Sequence, residues 1–537
     1  MTVFRRITPG FCLFCANVAL GLLVSCGGSG SSGGNTAVTS LDLAAEPEPP
    51  GDQPAFPFIE HVDQANITSG AILFDELFVL GDELFETRFN SLDGSGALRL
   101  PDMTPLPSRF SRIPPGGGRF TGPNGQACNG CHNTPFGTSA GASESNVVQD
   151  PAGAGIPPFN LRNTVSLFGS GMIQLLAEEM TTELLTIQTS AGSAATPGGP
   201  GVTLALTAKG ISFGSITAMR DSSGTLTFDT SEVEGVSADL VVRPFGWKGA
   251  VPNLRQFSRG AAVNEIGMEA TELVAKHPLM LADPDGDGIE GELSVGDITA
   301  LTVYIAAQEN PTTMGEMVSA GILSPPGAEF SVQAARGRRL FSTIGCETCH
   351  VPELHLYGTV FSEPTLHGGG NYFDASMAPP ATALDPALAT SFDLVQQGDF
   401  PRPEPHPSGG IRAVIFGDLK RHNMGARLAD AQPEAVVNAD DSDLEIGGEA
   451  VFVGTQEFLT PELWGVGSTG PWLHDGRAAS LEEAIDLHGI DGPPAIGDPA
   501  RSEAQEERDA FNALSDGQRE AVVTFLRSLI LVDVEEE

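Results

Sequence analysis

Lysine is almost missing from this chain. Among 537 residues there are four, Lys209, Lys248, Lys276 and Lys420, and the formal net charge is −41. Phosphate binding depends on clustered Lys and Arg that release counterions, so nucleic acid is excluded as a natural partner. The acid excess serves solubility, and it would also speed the approach of a basic protein. A long hydrophobic run is absent as well. The stretch "FCLFCANVALGLLV", Phe11 to Val24, is too short to span a bilayer securely. Spare cysteine is the third absence. Of seven cysteines, Cys12, Cys15 and Cys26 lie in or beside that apolar run. The other four, Cys128, Cys131, Cys346 and Cys349, fall in two short motifs, so no thiol remains for a separate structural disulfide.

What is present begins with an address. Arg5 and Arg6 precede the apolar run, and "LVSC" ends it at Cys26. That anatomy predicts an export signal over residues 1–26. The tetrapeptide resembles a bacterial lipoprotein box, in which Cys26 would be lipidated and anchor the mature protein by several acyl chains. An ordinary cleaved signal is the alternative, and both place the protein in the periplasm or cell envelope. Residues 27–55 are Gly/Ser-rich and then Pro/Glu-rich, a composition that cannot bury enough surface to fold, and they read as a flexible tether.

Beyond the tether the chain repeats itself. Gly81-x-x-Leu84-Phe85 stands ahead of "ACNGCH", and Gly337-x-x-Leu340-Phe341 stands ahead of "GCETCH". Both have apolar residues at helical spacing. The economical division is an N-terminal module, 56–330, and a C-terminal module, 331–537. The stretch from about 181 to 245 alternates small β-formers around a "DSSG" turn and predicts a β-rich insertion in the first module. Ser515 with Gln518 predicts a capped helix whose face Val522, Leu526, Leu529 and Ile530 is core. The expected fold class is mainly α, two tandem modules with a small β insertion.

Each motif is Cys-x-x-Cys-His: Cys128, Cys131, His132 and Cys346, Cys349, His350. A zinc site would need four converging ligands, usually within a few tens of residues. A thioredoxin-like dithiol needs a βαβ context and no trailing histidine. Covalent haem uses every residue: two thiols bond the two vinyl-derived carbons, and the next imidazole faces the iron. Two such motifs in an exported chain with no other cysteines favour two covalently bound haem c groups.

The blocks "RPFGWKGAVPNLRQF", "DLKRHNMGARLAD" and "TPELWGVGSTGPWLHDGRAASLEEAIDLHG" complete a resemblance. The chain resembles the di-haem oxidoreductase family, related to bacterial di-haem cytochrome c peroxidases and to the enzymes that mature methylamine dehydrogenase. The likeness runs from about Gly81 to the C-terminus, with breaks at the loop before Cys128 and at the β-rich insertion. It implies cytochrome c-like haem modules and peroxide reduction fed by a small cytochrome or cupredoxin. Trp247 matches the tryptophan between the haems, and Glu265 the acid over the reactive iron. Read alone, Trp247 could be a core aromatic and Glu265 a solvated helix-end carboxylate. In "SLEEAIDLHG" His488 stands where the family's methionine ligates the second haem, which would lower that haem's potential. His422 and Met424 are rival ligands. His474 is expected to hold a loop or a propionate, and His61, His277, His355, His367 and His406 to be structural or surface groups. The first haem has an open sixth site or takes Met172. One iron then meets substrate while the other relays electrons.

"DPDGDGIEGE" sets Asp283, Asp285 and Asp287 on alternate residues before Gly288, as at the start of a calcium loop. The twelfth position is Ser294, not glutamate, so a full EF-hand is absent. Glu290, Glu292 or Asp297 could complete a looser site, and a plain acidic turn is the equal alternative. The expected function is reduction of hydrogen peroxide. The rivals are electron transfer without substrate chemistry, and a haem oxidation of a protein or organic substrate.

Overall fold

The computed structural model describes residues 60–95, 125–134, 147–149, 160–274, 283, 288–310, 313–363, 390–396, 403–438 and 444–531, apart from 493, 494, 496 and 499. The signal and tether, Cys26, Asp285, Asp287, His277 and His367 lie outside the described residues. Among those described, no helix is long and apolar enough to cross a membrane.

Two helix pairs carry the repeat seen in the sequence. Helix Phe74–Glu86 is crossed by helix Val295–Ala306, and helix Ala328–Thr343 by helix Asp516–Arg527. Both crossings run through a glycine. A Cβ on Gly81 would stand 2.6 Å from Tyr304 Cβ and closer still to the Ala300 carbonyl. A Cβ on Gly337 would stand 2.9 Å from Phe525 Cβ and overlap the Ala521 carbonyl. The partners correspond: Ala300 and Tyr304 in one pair, Ala521 and Phe525 in the other. Glycine is needed because backbone meets backbone there. Each pair then buries a phenylalanine, Phe85 or Phe341, one turn further on, and the Cys-x-x-Cys-His turn follows.

The later helix of each pair starts on a capping box. Ser515 and Gln518 form the predicted one. In the other, Asp297 accepts from Ser294 N (2.7 Å), Val62 N (2.7 Å) and His61 Nδ1 (2.7 Å). These contacts commit Asp297 to helix capping. Glu292 is also turned inward, accepting from Glu269 N at 2.6 Å. Asp283 accepts Gly288 N at 2.9 Å, a turn bond.

The expected β insertion opens as helix. Helix Ser170–Ala194 runs through residue 194, and strands occupy only Val202–Ala208, Ile211–Arg220 and Leu226–Asp229, an antiparallel sheet in sequence order. Leu184 continues the buried face of Leu176 and Met180. Thr182, Thr186 and Ser190 bond the carbonyls four residues back, at 2.7–2.9 Å, and so do not compete for strand. The helix then ends against the sheet, where Arg220 donates to Gly192 O and Ala195 O, satisfying end carbonyls. Strand is also more widespread than a mainly α chain would show. Six further two-stranded antiparallel ribbons occur among the described residues. Residues 57–537 form one compact unit, so both expected modules lie within it.

Candidate functional site

The two Cys motifs fold alike. Cys128–Gly130 and Cys346–Thr348 are single 3₁₀ turns, and His132 N and His350 N each bond the carbonyl of the first cysteine at 3.0 Å. In the second motif both thiols and the imidazole line one cavity. Burial pushes the Cys128 thiol up to about 12, with Cys131 adding to the effect. Burial and then Glu507 push Cys346 up to about 12. No disulfide closes either pair. Burial thus favours the protonated thiol at Cys128, Cys131 and Cys346.

Each imidazole is oriented by a backbone carbonyl. His132 Nδ1 bonds Val165 O at 3.2 Å, and His350 Nδ1 bonds Phe416 O at 3.0 Å. The buried Phe85 and Phe341 rings flank them, with centroids 6.0 and 6.2 Å away. Burial pushes both histidines down to about 4, so each is neutral at pH 7. A neutral ring with Nδ1 on a carbonyl presents Nε2 as a lone pair, the arrangement a metal-ligating histidine adopts.

His488 has the same arrangement. It follows helix Leu481–Asp486, its Nδ1 bonds Ala484 O at 2.7 Å, and burial lowers its pKa. His350 and His488 line one cavity of about 310 Å³, together with Cys346 and Cys349. After burial, His488 is the next cause depressing His350.

The rival histidines are committed elsewhere. His422 Nε2 meets Asp418 at 2.8 Å and its Nδ1 meets Glu503 at 2.7 Å. Burial opposes charge there, but the bonds to Asp418, Cys349 and Glu503 outweigh it and push His422 up to about 12. A cationic imidazole with both nitrogens donating offers no lone pair. His474 is buried with Nε2 3.3 Å from Asp430 and its ring 4.3 Å from Phe458. These contacts tie it to Asp430 and Phe458. Met424 also lines the cavity.

Trp247 lines the same cavity, and its Nε1 donates to Asn163 O at 2.8 Å. Asn163 Nδ2 donates in turn to Pro471 O at 2.6 Å. Beneath them lies a buried ionic knot. Arg162 grips Asp430 with two bonds, 2.9 and 2.7 Å, while Lys248 stands 3.2 Å from the same carboxylate. Burial works to raise the Asp430 pKa, but His474, Arg162 and Lys248 hold it well below the usual carboxylate range. Through Asp430 the knot ties the strand that leads to Val165, and so to His132, to His474 in the cavity wall. Trp247 thus bonds the segment that leads to Val165 and lines the cavity that holds the second motif.

Glu265 lies in a single π turn, Ala262–Ile266, after helix Leu254–Ala261. Its carbonyl accepts Gly125 N at 2.9 Å, which brings the turn beside the first Cys motif. Its half-buried carboxylate is near enough to raise both Cys128 and Cys131. Met172 is buried in the main core.

The cavity fits a large, mostly apolar group with polar edges. Phe341, Trp472, Leu481 and Leu526 supply apolar wall. Asn163 Oδ1, Ser166 Oγ and Glu507 Oε2 are buried on the same wall without a hydrogen-bond partner. Buried polar atoms are rarely left so, and a bound group with hydrogen-bonding edges would satisfy them.

No family model matches this chain, and no curated protein matches it. Among solved structures it is similar to one described as a MauG-like protein associated with microbial copper homeostasis. The two are 16% identical, with 57% of this chain and 77% of that one covered, at a TM-score of 0.27.

Several residues in the cavity wall or bonded to its histidines carried no sequence signal. Val165 and Phe416 act through backbone oxygens, which any residue possesses. Glu462, Glu503 and Glu507 also line the cavity, and none was singled out from the sequence.

Proposed function

We propose that this protein is an exported di-haem c-type oxidoreductase that reduces hydrogen peroxide with electrons from a small cytochrome or cupredoxin. One observation carries the reading. Three half-buried, neutral histidines, His132, His350 and His488, each hold Nδ1 on a backbone carbonyl, and two of them share the cavity that holds Cys346 and Cys349.

Cys128 with Cys131, and Cys346 with Cys349, would carry the two haems as thioethers. His132 and His350 would ligate beside them, and His488 would complete the second site. Haem supplies one-electron chemistry and a place for peroxide oxygen to bind. The residues of the chain do the rest. Glu265, half-buried beside Cys131, takes the proton of the inner peroxide oxygen and returns it to the outer one, so that water leaves. Trp247, tied to Asn163, lies on the route between the two sites. At the second site His350 and His488 would both hold the haem, which would supply storage and transfer of an electron. The negative charge of −41 draws in a donor with a basic face. Lipidation of Cys26 would hold the protein at the membrane surface.

Absorption spectra of the purified protein, oxidised and half-reduced, with mass spectrometry of the intact chain, test this. Two attached haems are expected, one low-spin and one with a vacant position that responds to peroxide. Two low-spin haems silent to peroxide would favour electron transfer without substrate chemistry. A chain without haem would end the reading.

A further inference from the structure

One carboxyl in the second cavity has no role in this scheme. Glu462 lies in the extended segment 460–463, beside segment 415–420: Thr460 N bonds Lys420 O at 3.1 Å and Leu463 N bonds Ile415 O at 3.3 Å. Segment 415–420 in turn lies against the residues that follow His350, with Gly417 N on Val351 O at 3.0 Å. It also carries Phe416 O, the acceptor of His350. Glu462 packs on Gly417, whose Cβ position would lie 3.8 Å from Glu462 Cγ, and it lines the cavity. It lies on the segment that runs beside the backbone that orients His350.

The other charged groups facing this space, Glu507 apart, are paired. His422 is bound by Asp418 and Glu503. Arg508 is bridged to Asp486, Asp491 and Asp509. His474 is on Asp430. Glu507 stands beside Cys346. Among the described residues, no hydrogen bond or ion pair joins Glu462 to another side chain, and Asp418 lies beside it. Burial, then Asp418, push the Glu462 carboxyl up to about 7, against the bond from its own backbone N–H. A carboxyl so placed exchanges its proton in the working pH range.

We propose that Glu462 is a redox-linked proton acceptor: it takes one proton from solvent when one electron reaches the His350–His488 site, and releases it when that electron leaves. This rests on the functional reading above. The electron comes from the small redox protein, or from a chemical reductant in a titration, and reduces ferric to ferrous iron. The proton converts carboxylate to carboxylic acid, so the charge of the cavity is unchanged. A low-dielectric cavity strongly favours such neutral exchange.

The test is a potentiometric titration of the second haem in the full-length holoprotein, from about pH 5 to about pH 9, with infrared difference spectra of reduction. The wild-type potential should fall through neutral pH by up to ~59 mV per pH unit, one tenfold change in proton activity for one electron. A protonated-carboxyl C=O band should appear on reduction. Glu462→Gln should abolish both, holding the potential at the wild-type acid value at every pH. Glu462→Asp should keep the slope, which separates titration from folding. Equal slopes in wild type and Glu462→Gln, with both haems attached, would overturn the proposal while leaving the functional reading intact. So would a slope lost in Glu507→Gln instead. A chain lacking haem at Cys346 and Cys349 would refute both.

Discussion

Replacing Gly337 by alanine tests whether the helix crossing positions the second motif. The added methyl would stand 2.9 Å from Phe525 Cβ and overlap the Ala521 carbonyl. Ordinary contact is near 3.5–4.0 Å, and the obstacle is backbone, so the helices must part by roughly an ångström. Overpacking of this kind costs about 1–3 kcal/mol. Alanine regains up to about 1 kcal/mol of helix propensity, which leaves a net loss of about 2 kcal/mol from a clash at the upper end. Gly517 is the control, because it lies in the crossing helix with nothing within 4 Å of its Cβ position. Gly517→Ala should therefore stabilise by a few tenths to about 1 kcal/mol. Because Phe341, one turn beyond Gly337, flanks His350, parting the helices should also reduce haem at the second motif and spare the first. The assay is urea denaturation of each variant, with haem counted by mass on fragments bearing each motif. Gly337→Ala as stable as Gly517→Ala would refute the idea that backbone contact sets this crossing.

Further outcomes follow from other parts of the structure. Glu265→Gln should retain both haems yet lose peroxide turnover by about 10²-fold or more; unchanged turnover removes it from the mechanism. His488→Met should raise the potential of the second haem, since a thioether favours ferrous iron, and an unmoved potential would mean that His488 is not a ligand. Arg162→Ala would leave Asp430 buried with half its partners, at a cost of about 3–5 kcal/mol in denaturant; a loss below about 1 kcal/mol would show the knot to be dispensable. The pH dependence has a definite sign. With His132 and His350 at about 4 in the folded chain against 6.5 unfolded, the unfolded state binds more protons in that window. Stability of the haem-free chain should therefore fall as pH drops from 6.5 towards 4, as read by urea midpoints, and a midpoint flat across that window would contradict burial of the two rings.

The attachment motifs were legible in the sequence because the spacing of two thiols and an imidazole is local: one 3₁₀ turn realises it in both places. The helical repeat was legible for the same reason, since Gly81 and Gly337 hold the same offset from a buried phenylalanine. The helix over residues 181–194 was not legible. Its Thr and Ser hydroxyls look like strand formers until they bond carbonyls of their own helix. Nor could spacing decide among His422, His474 and His488. All three sit in similar blocks, and their protonation depends on partners distant in sequence: Glu503 for His422, Asp430 for His474, and no carboxylate for His488.

The sequence by itself determined that two Cys-x-x-Cys-His turns exist and that each follows a glycine-bearing helix, because these depend on neighbours within a few residues. Tertiary structure alone decided which imidazoles stay neutral with a lone pair to offer, and which carboxyl titrates near neutrality. Those properties are set by desolvation and by charges that arrive from far along the chain, and no local pattern encodes either.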